Sequence, residues 1–173
     1  MRRFIVFSLL ALFILSGNGL IREAQAADIK IGYVDVAAVF DSFDKTKDQD
    51  KILSDKSEQK QSKRNSMAES IRNMKNELEL LSDKQKDKKQ EDIQKEIGNL
   101  QDFDLQTKAE LKRERDDMVR DILKEIDTTI SEYSKKNDYG IVFNSRILVY
   151  AQEQYDITRE IVNILNSQYR RKK

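Results

Sequence analysis

The sequence predicts an α+β fold that is mostly α: a long antiparallel helical hairpin, coiled-coil in character, rising from a small β-rich body. Three observations predict it. From Thr46 to Lys135 the chain is highly charged and free of proline, with apolar residues stepping by three and four. That stepping loses phase across a wholly polar stretch, Ser82 to Gln90. Segments alternating with a period of two flank this middle, and strands so short must share one sheet.

The first 26 residues have the form of a cleavable secretory signal. Arg2 and Arg3 supply a positive start, Phe4 to Leu15 an apolar run of 12 residues, and Ala24-Gln25-Ala26 a small-x-small cleavage site. An uncleaved anchor would need about 20 apolar residues, and the run breaks at Ser16-Gly17-Asn18-Gly19. No cysteine follows it, so a lipid anchor of the lipobox type is excluded. The expected mature chain starts at Ala27, and nothing after it is apolar enough to span a membrane.

The body comes next. Ile29-Lys30-Ile31-Gly32-Tyr33-Val34 alternates as a strand and stops at Asp35, a good helix N-cap. The helical middle follows, with 42 of the 90 residues from Thr46 to Lys135 charged, too many for a compact core. A narrow seam remains. Met67, Ile71, Met74, Leu78 and Leu81 keep an unbroken a/d step, Ile93, Ile97 and Leu100 resume it, and Met118, Ile122, Ile126, Ile130 and Tyr133 form a further run. Asp55 to Ser66 contains no apolar residue, which predicts a flexible, wide-opening section of arm. Glu91–Lys95, Asp104–Lys108 and Asp116–Arg120 are spaced to pair along the exposed faces.

The phase slip and the apolar-free run place the hairpin tip near residues 82–90. A single helix from Val36 to Asn137 would hold the flanking strands about 150 Å apart; folded back, it makes an arm of roughly 70 Å. Tyr139 to Asn144 and Ile147 to Tyr150 read as two further strands joined at Ser145-Arg146, with Gly140 placed for the turn into them. Asp156 then caps a final helix to Gln168 whose face carries Ile157, Ile161, Ile164 and Leu165. The expected units are therefore the signal at 1–26, a discontinuous body at 27–44 and 137–173, and an arm at 45–136. A body of about 55 residues is small for independent stability, so it is also the expected assembly interface.

Composition excludes several functions. The chain has no His and no Cys, which removes an imidazole base, a Ser-His relay, thiol chemistry and a His-containing zinc site. Only Gly32, Gly98 and Gly140 follow the signal, too dispersed for a phosphate-cradling loop. Without residues 1–26 the net charge is −1, which argues against nucleic acid as partner. Asp83/Asp87, Asp92/Glu96 and Glu110/Glu114 share helix faces and could loosely attract a divalent cation, but they sit where a solvated helix surface is expected. No catalytic, cofactor-binding or metal-binding residue is assigned, no cofactor is expected, and the chain is not read as an enzyme.

At its ends the sequence resembles the Skp/OmpH family of periplasmic chaperones. Ile31-Gly32-Tyr33-Val34-Asp35-Val36-Ala37-Ala38-Val39-Phe40 is similar to the family's opening segment. Tyr139-Gly140-Ile141-Val142-Phe143-Asn144, Val149-Tyr150-Ala151 and Asp156-Ile157-Thr158 are similar to its closing segment. The resemblance implies a periplasmic homotrimer with a β-rich trimerisation body and helical-hairpin arms. The arms would hold unfolded outer-membrane proteins without ATP and keep them from aggregating in transit. Ile31, Tyr33, Val34, Ile141, Val142, Phe143, Leu148 and Tyr150 are then the oligomerisation candidates, and Met67, Ile71, Met74, Leu78 and Leu81 the client or arm-seam candidates. Members are usually basic with positive tips. Here Lys84, Lys86, Lys88 and Lys89 face Asp83 and Asp87, which implies at most weak contact with membrane lipid or lipopolysaccharide. The competing reading is a periplasmic coiled-coil structural or adaptor protein with one fixed envelope partner.

Overall fold

The computed structural model describes residues 29–173. The signal read at residues 1–26 lies outside them. Strand β1 spans Lys30–Val34 and helix α1 Val36–Ser42. Asp35 turns one into the other: its carboxylate accepts from the Ala38 N–H at 3.0 Å, satisfying a donor that the first helical turn leaves unpaired.

The helix does not run on. It ends at Phe43, whose φ of −72° and ψ of 124° are extended, and helix α2 restarts over Asp44–Leu78. Asn166 bridges the interruption, accepting from the Asp44 N–H at 2.8 Å and donating to the Ser42 carbonyl at 3.3 Å. The chain then reverses through Glu79–Ser82, and helix α3 occupies Asp83–Lys136. The turn therefore precedes the polar 82–90 stretch assigned to it, and Asp83 to Gln90 is helical. Lysine and glutamine are good helix formers, and the stretch needs no apolar residue because it lies on a solvated end.

Strand β2, Tyr139–Asn144, pairs with β1 in parallel: Ile31 lies opposite Ile141, Gly32 opposite Val142, Tyr33 opposite Phe143 and Val34 opposite Asn144. Parallel pairing requires a crossover, and here the crossover is the entire arm. The turn into β2 is made by Asp138 at φ 58°, not by Gly140. Aspartate tolerates this left-handed region better than most side chains. A Cβ at Gly140 would stand 2.5 Å from Ile29 Cγ2, so the exposed Ile29 side chain would have to move aside.

The third strand expected at Ile147–Tyr150 does not form. Asn144 Oδ1 accepts from the Arg146 N–H at 3.1 Å and Leu148 N–H bonds Ser145 O at 3.0 Å, curling the segment into a 3-10 turn at Ser145–Ile147. A second such turn at Glu153–Tyr155 delivers Asp156 beside Tyr33, and Ile157 N–H reaches Tyr33 O at 3.0 Å. Helix α4 covers Thr158–Lys172, one turn longer than expected. Its N-cap position is Ile157, although the Asp156 carboxylate still accepts from the Thr158 N–H at 2.8 Å.

The core sits where arm and body meet. Val34, Val39, Phe43, Ile122, Ile126, Ile157, Ile161 and Leu165 form one buried cluster, drawn from β1, α1, the root of α3 and α4. No helix among the described residues is long and apolar enough to cross a membrane.

Candidate functional site

Three surfaces could carry function: the arm, its tip and the outer face of the sheet. Ion pairs across the arm fix its antiparallel register. Lys45 Nζ meets Glu125 at 2.7 Å near the root, Arg64 Nε meets Asp104 at 3.0 Å midway, and Lys89 Nζ meets Glu77 at 2.5 Å beside the tip. The Met67–Leu81 stripe lies in the distal half. Ile71 is buried; Met67, Met74, Leu78 and Leu81 are half-buried; Ile93 on α3 is buried, with Ile97 and Leu100 half-buried.

In the Asp55–Ser66 stretch the seam changes character. Its inward positions hold Lys56, Lys60 and Arg64, four residues apart and half-buried. Lys56 Nζ lies 2.6 Å from Glu110 and also pairs with Glu114; Lys60 Nζ lies 2.8 Å from Glu110. Beside this ladder the helices leave an open groove of about 1120 Å³, lined by Leu53, Ser54, Ser57, Leu111 and Arg115 among others. The acidic pair Glu110/Glu114 is thus taken up by lysines. No group of three or more acidic residues among the described residues is placed to hold a metal ion.

None of the three exposed-face pairs forms as spaced. Asp104 is drawn across to Arg64, Asp116 pairs backwards with Lys112 at 2.7 Å, Arg120 takes Asp117 at 3.0 Å, and Glu91 and Lys95 make no ion pair with each other. Cross-helix partners and three-residue spacings compete for the same charges.

Lys56 first, then Lys60, hold the Glu110 carboxyl at about 2, down from 4.5. A carboxyl depressed by folding contributes stability above its unfolded value, and that contribution is lost as pH falls through the folded one. Arm stability should therefore fall below pH 4.5 and on towards pH 2. In a carbon-13 carboxyl titration, Glu110 should be among the last glutamates to protonate; a midpoint at the ordinary value would mean the ladder is absent in solution.

At the tip Leu80 is 88% exposed. Lys84 and Lys88 are exposed, whereas Lys86 pairs with Asp83 at 3.5 Å and Lys89 with Glu77. Only part of the tip's positive charge is therefore uncommitted.

The sheet has two unlike faces. Val34 is buried and Val142 packs against the core. On the other face Ile31 and Ile141, paired across the strands, are each 43% exposed, with Tyr33 and Phe143 half-buried beside them. Leu148 and Tyr150 overhang this face, and a hollow of about 420 Å³ lies among Ile31, Phe143, Leu148 and Tyr150. Burial, with Asp156 and Glu153 adding negative charge, holds the Tyr33 phenol above its ordinary value. Of the eight body candidates, Val34 and Val142 thus belong to the chain's own core, while the other six gather on or beside the open face.

A contact missed in the sequence joins α4 to the arm root. Tyr169 Oη donates to Asp48 at 3.0 Å, Lys173 Nζ reaches the same carboxylate at 2.5 Å, and Arg170 meets Asp44 at 2.8 Å. Lys173 first, then Tyr169, keep the Asp48 carboxyl below its usual range. No local spacing could have announced these pairs, since their partners lie more than 100 residues apart.

Together these elements define a class of fold: a long two-helix arm rooted on a small core of two strands and two short helices. The chain belongs to the OmpH-like family, whose model, described as outer membrane protein (OmpH-like), matches residues 30–165. Its fold is also that of an OmpH-like outer membrane chaperone candidate from Caulobacter crescentus CB15. That crystal structure is 13% identical, with 81% of this chain and 85% of that one covered, at a TM-score of 0.75. No curated protein matches the chain. Family membership supports a chaperone role, and the family is not one of enzymes.

Proposed function

We propose that this chain is an ATP-independent holdase of the periplasm, exported by residues 1–26 and cleaved after Ala26, that shields unfolded outer-membrane proteins in transit. The observation that carries the reading is a long arm anchored to a root whose sheet leaves Ile31 and Ile141 uncovered. A two-stranded sheet is marginal alone, and copies meeting on this face would supply the missing burial. A homotrimer, as the family resemblance implies, would set three arms around one space. The body would comprise residues 27–44 and 137–173, and the arm 45–136.

An unfolded β-barrel exposes alternating apolar residues and unpaired strand edges, which aggregate unless covered. Several arms offer many weak contacts at high effective concentration, so the client is held firmly overall while each contact can release. Exposed apolar side chains on the arm, Ile52, Leu105 and Leu123, are candidates for such contacts alongside the Met67–Leu81 stripe. Release requires no nucleotide, because folding into the bilayer competes for the same apolar surface. With Lys86 and Lys89 already paired, contact of the tip with anionic lipid or lipopolysaccharide would be weak.

The test is dilution of a urea-unfolded outer-membrane protein, without ATP, into buffer with and without the mature protein. Turbidity should be suppressed at a small molar excess of trimer. Undiminished turbidity would favour a fixed-partner envelope spacer instead.

A further inference from the structure

We infer that the mid-arm ladder is a joint gated by ionic strength: Lys56, Lys60 and Arg64 close it on Glu110, Glu114 and Asp104, and salt opens it. The inference concerns the arm itself and holds whatever the arm binds.

The seam supplies the first argument. Between Leu53 and Met67 the inward positions of α2 carry no apolar side chain. On either side the seam is apolar, with Ile71 and Ile93 buried distally and Ile122 and Ile126 buried at the root. Across these residues, about 20 Å of arm, α2 thus meets the half-buried Phe103 and Leu111 of α3 with charged side chains only, and cohesion rests chiefly on the ion pairs.

The geometry supplies the second. Glu110 is shared by Lys56 at 2.6 Å and Lys60 at 2.8 Å, Glu114 joins through Lys56, and Arg64 Nε approaches both Asp104 oxygens, at 3.0 and 3.2 Å. These side chains are 29 to 42% exposed, so mobile ions reach them. On the flank, Ser54, Ser57 and Ser62 line the open groove, and no packed layer replaces the pairs if they part. The half-buried Phe103 ring lies 5.9 Å from Lys60 Nζ and 5.3 Å from Lys63 Nζ, so it too meets charge on the α2 side.

The screening length falls from about 10 Å at 0.1 M salt to about 3 Å at 1 M. Partly exposed pairs weaken accordingly, while apolar contacts do not. Rising salt thus loosens the middle of the arm first. The distal half, kept together by its own seam, then pivots as a unit on a soft segment. Near-neutral acidity cannot substitute for salt, because Glu110 stays ionised there.

Amide hydrogen exchange on the assembled mature protein tests this. Between about 0.05 M and 1 M NaCl, exchange over residues 54–66 and 104–114, normalised to an unstructured reference peptide, should quicken about tenfold, as expected for a network of several partly exposed pairs. Residues 67–78 and 93–100 should change less than about twofold. Lys56→Leu/Lys60→Leu/Arg64→Leu/Asp104→Leu/Glu110→Leu/Glu114→Leu, which replaces every pair of the ladder and continues the seam in apolar residues, should abolish the salt response with helicity retained. Should that variant misfold, Lys56→Gln should raise mid-arm exchange already at low salt. Equal quickening of mid-arm and distal segments, no quickening at all, or a salt response surviving in the all-leucine seam would each overturn the joint.

Discussion

Phe43→Ala should be among the most damaging single substitutions in the chain, lowering stability by about 3–5 kcal/mol. The ring is fully buried and meets Tyr169 edge-on, centroids 5.8 Å apart. It fills the junction of α1, α2, α3 and α4, so truncation would leave a cavity that no neighbouring element can close alone. The backbone adds to the case. Residue 43 is where the chain leaves one helix and enters another, and Asn166 satisfies the groups freed by that break. Loss of the ring should therefore loosen the arm's attachment before it affects the distal seam. Thermal denaturation followed by circular dichroism would show it. A midpoint within a degree or two of the parent's would mean that Phe43 is not packed as described.

The second large effect concerns assembly. If copies assemble on the open sheet face as proposed, Ile31→Glu combined with Ile141→Glu should leave single chains, weakening association by more than about 100-fold, since each carboxylate forced into an interface costs several kilocalories per mole. The two positions pair directly across β1 and β2, so like charges would also repel. In an isolated chain both sites are 43% exposed, and the charges would be tolerated there. Native mass measurement should report the monomer while circular dichroism keeps its helical signal. An unchanged mass with both glutamates in place would exclude this face as the interface. Val34→Glu is the contrasting case: Val34 is 2% exposed within the chain's own core, so that variant should fail to fold rather than fail to assemble.

What the sequence disclosed follows the range of the interactions involved. β1, the Asp35 cap and the helical middle rest on local patterns of period two, one capping carboxylate and three-four stepping, and those patterns were legible. The Phe43 break was not, because it is stabilised by Asn166, more than 120 residues away. Ile147–Tyr150 has strand composition, yet Asn144 and Ser145 bend it away from the sheet, and it leaves Val149 and Tyr150 largely exposed. Composition alone does not distinguish such a segment from a strand already paired within one chain. The tip was misplaced by a few residues because lysine-rich helix ends and solvated turns look alike in composition. The turn expected at Gly140 is made by Asp138 instead, and Gly140 lies within β2. On the arm, the absence of apolar residues at Asp55–Ser66 is plain, and the seam's step carried back from Met67 reaches Arg64 and Lys60; Lys56 lies one position off that phase and is not legible from spacing.

The parallel pairing of β1 with β2 has a consequence for biogenesis. Lys30 meets Tyr139, and Phe43 shares its core with Leu165. Every contact that defines the root therefore waits for the last third of the polypeptide to arrive. Closing so long a loop is entropically unfavourable and slow compared with zipping up the arm. A chain growing from its amino terminus would form helix first and acquire a hydrophobic centre only near completion, so a carboxy-terminal truncation removing α4 should leave extended, protease-sensitive helices rather than a shortened version of the same molecule.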